Sequence, residues 1–208
     1  IKPFLYLTAL ENGFTVATTF MSEATTFYYN GEPYSPTNFQ SIYAGFDISM
    51  AYALATSDNI YAVKTHLFLG LEKMVNTLKR FNFSGNIPKI PSLALGVKEV
   101  SVKELTEAYA ILANKGVYIE PTIITKITTM DNELIYEANP SKTKIADESD
   151  VFLLTEAMTS VFDNNMTYNI RPTGVAIKSL LSTKYAAKSG STDTDNWMVG
   201  YNPDIVVS

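Results

Sequence analysis

The chain contains no cysteine, which excludes disulfide bonds, thiol nucleophiles and cysteine-based zinc sites. Histidine occurs once, at His66. A lone imidazole without clustered acids makes a poor metal site, and the apolar neighbours of His66 on a helix point to a structural role. No apolar run approaches the roughly 20 residues that a membrane-spanning helix needs. Basic clusters are also missing: 16 Lys and Arg against 21 Asp and Glu leave a net charge of −5. Without a concentrated basic face, nucleic acid is not an expected partner. Charge is sparse at 18%, whereas 46% of residues are apolar, so the chain is expected to fold around a full core. A length of 208 residues fits one domain.

The first residues, Ile1-Lys2-Pro3-Phe4-Leu5, carry neither an initiator Met nor a signal-peptide pattern. The last, Asp204 to Ser208, read as an interrupted strand. Both ends suggest a piece of a longer protein, with anchors or partner domains outside these residues.

Apolar spacing predicts a buried helix over 3–12, closed by Asn12-Gly13. The Thr-, Tyr-, Asn- and Pro-rich stretch 22–46 reads as loop. A helix capped by Asp47 follows and runs out at Thr56-Ser57-Asp58-Asn59, which caps another. Gly70 separates that helix from a third, carrying Leu71, Met74, Val75 and Leu78. Ser101-Val102-Lys103-Glu104 is a capping box opening a helix that Gly116 stops. Residues 117–130 and 134–136 are β-like around an Asp131-Asn132 turn, and 138–149 read as polar linker. Ser149 is expected to cap a last helix. Strands follow around 186–192, 197–201 and 205–207. Helices in the middle and strands late make the chain α+β.

Three short polar segments carry candidate chemistry. Lys188-Ser189-Gly190 on a strand, followed by Ser191-Thr192, places a cation, hydroxyls and backbone N–H groups on one rim, equipment for gripping a carboxylate beside a reacting carbonyl. Ser57-Asp58-Asn59 read alone is a helix cap, since all three residue types favour that position. Lys2-Pro3-Phe4 opens the first helix. In acyl transfer by serine, a lysine one helical turn after the nucleophile shares its face and can act as base when burial keeps it neutral. S-x-x-K, S-D-N and K-T-G are the parts of serine β-lactamases and penicillin-binding proteins. Asp193-Thr194-Asp195-Asn196 lacks the Gly and Glu of a calcium loop and reads as a polar hairpin.

The order of segments resembles the transpeptidase domain of class A, bifunctional penicillin-binding proteins along nearly the whole chain. The resemblance rests on residues 2–11, Tyr34-Ser35-Pro36-Thr37-Asn38, Tyr43-Ala44-Gly45, residues 53–59, Pro91–Gly96, residues 108–116 and Trp197–Asp204. It implies a serine β-lactamase/penicillin-binding fold: an antiparallel sheet flanked by helices, plus a helical subdomain, with 1–208 as one transpeptidase domain fragment. It also implies roles. Lys2 is the base, and Ser57 relays a proton to the leaving amine under the influence of Lys188. Asn59 holds a substrate amide, while Ser189, Gly190 and Ser191 form the carboxylate and oxyanion rim and Trp197 shapes the cleft floor or core. The nucleophilic serine falls three positions before Lys2, ahead of Ile1. Ser189 stands where many relatives carry Thr, and retains the hydroxyl.

The implied activity is D,D-transpeptidation of peptidoglycan stem peptides, inhibited by β-lactams, with no metal or cofactor. A D,D-carboxypeptidase or β-lactamase, and a non-catalytic sensor, are the alternatives. A glycosyltransferase domain, a membrane anchor, lipid-linked glycan strands and cell-wall synthesis or division proteins are implied as partners, on the extracytoplasmic face of a bacterial membrane.

Overall fold

A computed structural model describes residues 1–192 and 194–208. Its centre is α1 (Lys2–Leu10), a helix whose nine residues are all buried. A helix apolar on every side needs neighbours on every side, and α1 has them. Phe4 makes edge-to-face contacts with Phe81, Phe83 and Tyr109, at ring separations of 5.2, 5.1 and 5.5 Å. Thr8 Oγ1, satisfied by the Phe4 carbonyl, meets the Thr77 hydroxyl at 2.8 Å.

After α1, β1 (Thr19–Met21) runs antiparallel to β4 (Asp47–Ser49). Between them lies a hairpin of β2 (Phe27–Tyr29) and β3 (Glu32–Tyr34). Its turn residues Asn30 and Gly31 both have positive φ, as a tight right-twisted hairpin requires. The stretch 22–46 is therefore not plain loop. Strands of three residues leave too little alternation to be read from sequence.

Asp47 belongs to β4, and Ser49 caps α2 (Met50–Thr56) by accepting from the Tyr52 N–H, so the cap falls two residues later than the sequence suggested. Next come α3 (Asn59–Leu69), capped by Asp58, and α4 (Leu71–Arg80). Arg80 grips both carboxylate oxygens of Glu11, fastening α4 to the end of α1. The capping box opens α5 (Val102–Ala113) as expected.

A small β excursion pairs β5 (Val117–Ile119) with β8 (Lys142–Lys144), and β6 (Lys126–Thr128) with β7 (Leu134–Glu137). Part of the expected linker is thus strand. Gly116 sits where α5 turns into β5: its φ is +85°, and a Cβ there would lie 2.6 Å from the Ala146 carbonyl oxygen. Asp147, not Ser149, caps α6 (Glu148–Thr159), its carboxylate accepting from the Ser149 N–H. Finally β9 (Ala186–Ser191), β10 (Asn196–Tyr201) and β11 (Val206–Val207) form an antiparallel sheet in the order β11-β10-β9. Both α5 and α6 pack on this sheet, and α6 also packs on α1. That contact carries the sheet's first strand to the head of the central helix.

Candidate active site

Lys2 lies in the first turn of α1 and is only 7% exposed. Its ammonium is satisfied by three acceptors: the Ser57 carbonyl at 2.7 Å, Asn59 Oδ1 at 2.6 Å and Ser57 Oγ at 3.2 Å. Ser57 can meet it because α2 stops there. Ser57 takes the left-handed conformation, φ 59° and ψ 39°, as the residue closing α2, and Asp58 immediately caps α3. The turn between two helices thus presents a carbonyl, a hydroxyl and an amide to one lysine.

Lys188 approaches from β9 and is 4% exposed. It donates to Ser57 Oγ at 2.8 Å and to the Ser189 carbonyl at 2.7 Å. Two buried lysines therefore converge on one hydroxyl oxygen, leaving the Ser57 proton free to point into the cleft. Burial pushes Lys2 from its ordinary value down to about 8, with the nearby Asp58 carboxylate acting in the opposite direction. Burial also pushes Lys188 well below its ordinary value, and the positive charge of Lys2 adds to that. A lysine held near neutrality can hold or accept a proton at physiological pH.

Ser189, Gly190 and Ser191 continue along β9 with rising exposure. Among the described residues β9 ends the sheet. The Thr192 N–H turns inward to the Asp195 carbonyl at 2.8 Å. Successive peptides in a strand point to opposite sides, so the Ser191 N–H faces the open edge. Trp197 pairs with Gly190 across the hairpin and is half-buried against the core. A cavity of about 520 Å³ opens along this rim, lined by Ile1, Tyr109, Lys188, Ser189, Gly190 and Trp197 among others. A larger hollow of about 910 Å³ lies between α5, α6 and the sheet, away from these groups. The structure thus brings Lys2, Ser57, Asn59 and Lys188 into direct contact, and places Ser189, Gly190, Ser191 and Trp197 along the adjoining cavity.

Ser22, which did not stand out in the sequence, and Asn38, which had no role assigned there, join the same construction. Both hydrogen-bond to the buried Asp58 carboxylate. Asn38 stood in the Tyr34–Asn38 segment, yet nothing local tied it to the turn. His66 is fully buried on α3, with Nε2 at 3.3 Å from the Ile90 carbonyl, and burial lowers its pKa to about 4. Of the acidic run at 193–196, Asp193 lies outside the described residues. Among those described, no three His, Asp or Glu side chains gather as a metal site would require.

A buried cluster of two lysines around one hydroxyl, between a helical region and an antiparallel sheet, defines a site equipped to hold and move protons. The family described as the penicillin binding protein transpeptidase domain matches residues 1–207, and the chain belongs to that family. It is 45% identical over 208 residues to penicillin-binding protein 2D of Bacillus subtilis (strain 168), covering 99% of this chain and 30% of that protein. Against penicillin-binding protein 1A of Rickettsia conorii it is 32% identical over 227 residues, covering 99% and 28%. The chain thus spans under a third of these relatives. Among solved structures, penicillin-binding protein 1A from Haemophilus influenzae shares the fold with a TM-score of 0.84 at 24% identity, over 97% of this chain and 35% of that one. Penicillin-binding protein A from M. tuberculosis, solved as an imipenem acyl-enzyme complex, shares it with a TM-score of 0.79 at 17% identity, over 97% and 51%.

Proposed function

We propose that this domain is a serine-type D,D-transpeptidase that cross-links peptidoglycan stem peptides and is acylated by β-lactams. The observation that carries the reading is the meeting of Lys2 and Lys188 on Ser57 Oγ, with Asn59 on Lys2. In this reading a serine three positions before Lys2 attacks the carbonyl of the penultimate D-Ala, and neutral Lys2 takes its proton. The Ser57 hydroxyl gives its proton to the departing amine of the terminal D-Ala and regains one from Lys2 across their 3.2 Å contact, with Lys188 beside it. An ester remains. An amine from a neighbouring strand then attacks that ester, its proton is carried by Lys2 to the released serine oxygen, and the serine is free again.

The rim suits the ligand's other end. Ser189 and Ser191 hydroxyls take the terminal carboxylate, and the outward Ser191 N–H supplies half of the oxyanion hole, the serine's own N–H being the other half. One N–H of the Asn59 amide is held by the Thr37 carbonyl at 2.7 Å, so its second N–H is the one that binds a substrate carbonyl. Trp197 forms the floor.

Residues 1–208 act here as one transpeptidase unit of a longer protein. Attachment to the extracytoplasmic face of the membrane, lipid-linked glycan strands, and contacts with cell-wall synthesis or division proteins belong to that whole protein and to the same proposal. The short share of its relatives that the chain spans and their penicillin-binding names support it.

The test uses the full-length protein, a fluorescent penicillin, and a D-Ala-D-Ala peptide with and without an amine acceptor. Stable labelling with acceptor-dependent release of D-Ala is expected. Release to water alone would make the enzyme a carboxypeptidase, rapid turnover of penicillin a β-lactamase, and labelling without release a sensor. Absence of labelling would sink the whole reading.

A further inference from the structure

Asn38 lies on the segment 35–41, outside every helix and strand that carries the reacting groups, yet it is buried at 7% exposure. Its amide has one orientation only. Oδ1 accepts from the Asn59 N–H at 2.7 Å and the Ile60 N–H at 3.4 Å, while Nδ2 donates to Asp58 Oδ2 at 2.7 Å. The same Asp58 oxygen accepts from Ser22 Oγ at 2.6 Å, and the other, Oδ1, accepts from the Tyr61 N–H at 2.7 Å. Ser22 Oγ in turn accepts from the Ala44 N–H at 3.2 Å. Every polar atom of this small network has a partner, which is the condition under which a buried network fixes one geometry.

The neighbouring peptide completes the grip. The Thr37 carbonyl accepts from Asn59 Nδ2, so residues 37 and 38 hold Asn59 by its backbone N–H and by its side chain at once. Held this way, the Asn59 amide turns its oxygen to Lys2. We propose that Asn38 is a positioning residue: its amide, seated between Asp58 and the Asn59 backbone, sets where Asn59 meets Lys2 and hence the geometry of acylation. The inference rests on the transpeptidase reading for its kinetic readout, and on the hydrogen-bond geometry alone for its structural one.

Asn38→Ala in the full-length protein removes the clamp. The double variant Asn38→Asp/Asp58→Asn rebuilds it with the two side chains exchanged. There the carboxylate at 38 accepts from both backbone N–H groups and from the amide at 58, and Ser22 turns to accept instead of donate. Acylation by a fluorescent penicillin is followed at saturation, separating the acylation rate constant from the affinity, and backbone amide exchange is read at Asn59 by mass spectrometry. Asn38→Ala is expected to slow saturated acylation about 10- to 100-fold, in the range lost when a reacting group is misplaced by an ångström. Exchange at Asn59 is expected to rise at least about 10-fold as the amide loses its acceptor, with that of α5 unchanged. The exchanged pair is expected to return both to within about 3-fold of the parent.

A folded Asn38→Ala protein that acylates at the parental rate overturns the proposal, because a merely structural role would lower thermal stability and leave that rate alone. So does an exchanged pair that folds and stays slow, or fails to fold. Should Asn38→Ala itself not fold, the exchanged pair decides alone. If the parent takes no penicillin, the transpeptidase reading falls and amide exchange at Asn59 still judges the clamp.

Discussion

Lys188 and Ser57 stand 131 positions apart in the chain, yet Lys188 Nζ donates to Ser57 Oγ at 2.8 Å. The strand that carries the lysine belongs to the sheet and the serine to a turn between helices. Their meeting depends on α6, which packs on both β9 and α1. Ser57 accepts from Lys2 on its other side, so its hydroxyl joins the two halves of the molecule as well as serving the cleft.

Replacing Ser57 by glycine removes the hydroxyl, and with it both duties, while relaxing the left-handed backbone at that turn. A non-glycine residue in the left-handed region costs about 1–2 kcal/mol, which glycine avoids; glycine in turn makes the unfolded chain freer, by about 0.4–1 kcal/mol. The two effects nearly offset. Glycine also removes the hydroxyl that accepts from both buried lysines, a loss of about 1–3 kcal/mol, so Ser57→Gly is expected to melt at or a few degrees below the parent. Acylation is expected to fall about 10²- to 10⁴-fold, the usual range for losing a proton-transfer group. Thermal melting and β-lactam labelling on the same sample check it. A fast Ser57→Gly enzyme would remove Ser57 from the mechanism.

In the proposed mechanism the pH dependence of acylation is set by Lys2. With its pKa lowered to about 8, the neutral base form grows as pH rises towards 8. The rate is therefore expected to climb about tenfold per unit on the acid side and level off above that point. The charged groups facing Lys2 are Asp58, whose carboxylate holds the pKa up, and Lys188, across Ser57 Oγ. Asp58→Asn removes the negative charge, so the inflection is expected to move to lower pH, whatever happens to the height of the profile. Stopped-flow acylation from pH 6 to 10 reads the position directly, and an inflection that stays or moves upward contradicts the assignment.

The helices and the three polar segments were legible because each is written locally: apolar spacing for α1 and α3 to α5, a capping box at Ser101 and Glu104, short motifs at Ser57 and Lys188. Caps misjudged by two residues, at Ser49 and Asp147, reflect that neighbouring Asp and Ser side chains offer the same oxygen and only backbone geometry chooses between them. The clamp around Asp58 was not legible. Its partners lie 36 and 20 positions earlier, on a segment whose three-residue strands carry no period. A buried polar network is a property of packing, and Asn38 looks like any turn residue until the fold closes over it.

Phe4 is expected to be the costliest single truncation in the core. It is fully buried in the first turn of α1 and touches three aromatic rings, Phe81 and Phe83 from the segment that closes α4 and Tyr109 from α5. Phe4→Ala should lose about 3–5 kcal/mol by transfer and cavity terms together. Phe4→Leu should lose less, since much of the volume is kept. Urea denaturation of the two variants checks the ordering; equal losses would mean the void collapses around either side chain.

Gly190 offers a way to ask whether the cavity along β9 is where ligand lies. A Cβ placed there meets no atom within 4 Å, and its backbone is not in the left-handed region, so the protein itself has no need of a glycine. In a strand, adding a side chain is neutral or stabilising by about 0.4–1 kcal/mol. Gly190 and Lys188 share one face of β9, two residues apart, so a side chain at 190 would project into the cavity beside the lysine. Gly190→Ala and Gly190→Val are therefore expected to fold with melting temperatures at or above the parent. Their acylation by a bulky penicillin is expected to fall in steps, valine more than alanine, chiefly through weaker binding before the chemical step. Saturation kinetics resolve that from a slower chemical step. A valine variant that binds and acylates like the parent would mean that the ligand does not pass over Gly190, and that the missing side chain leaves room for nothing.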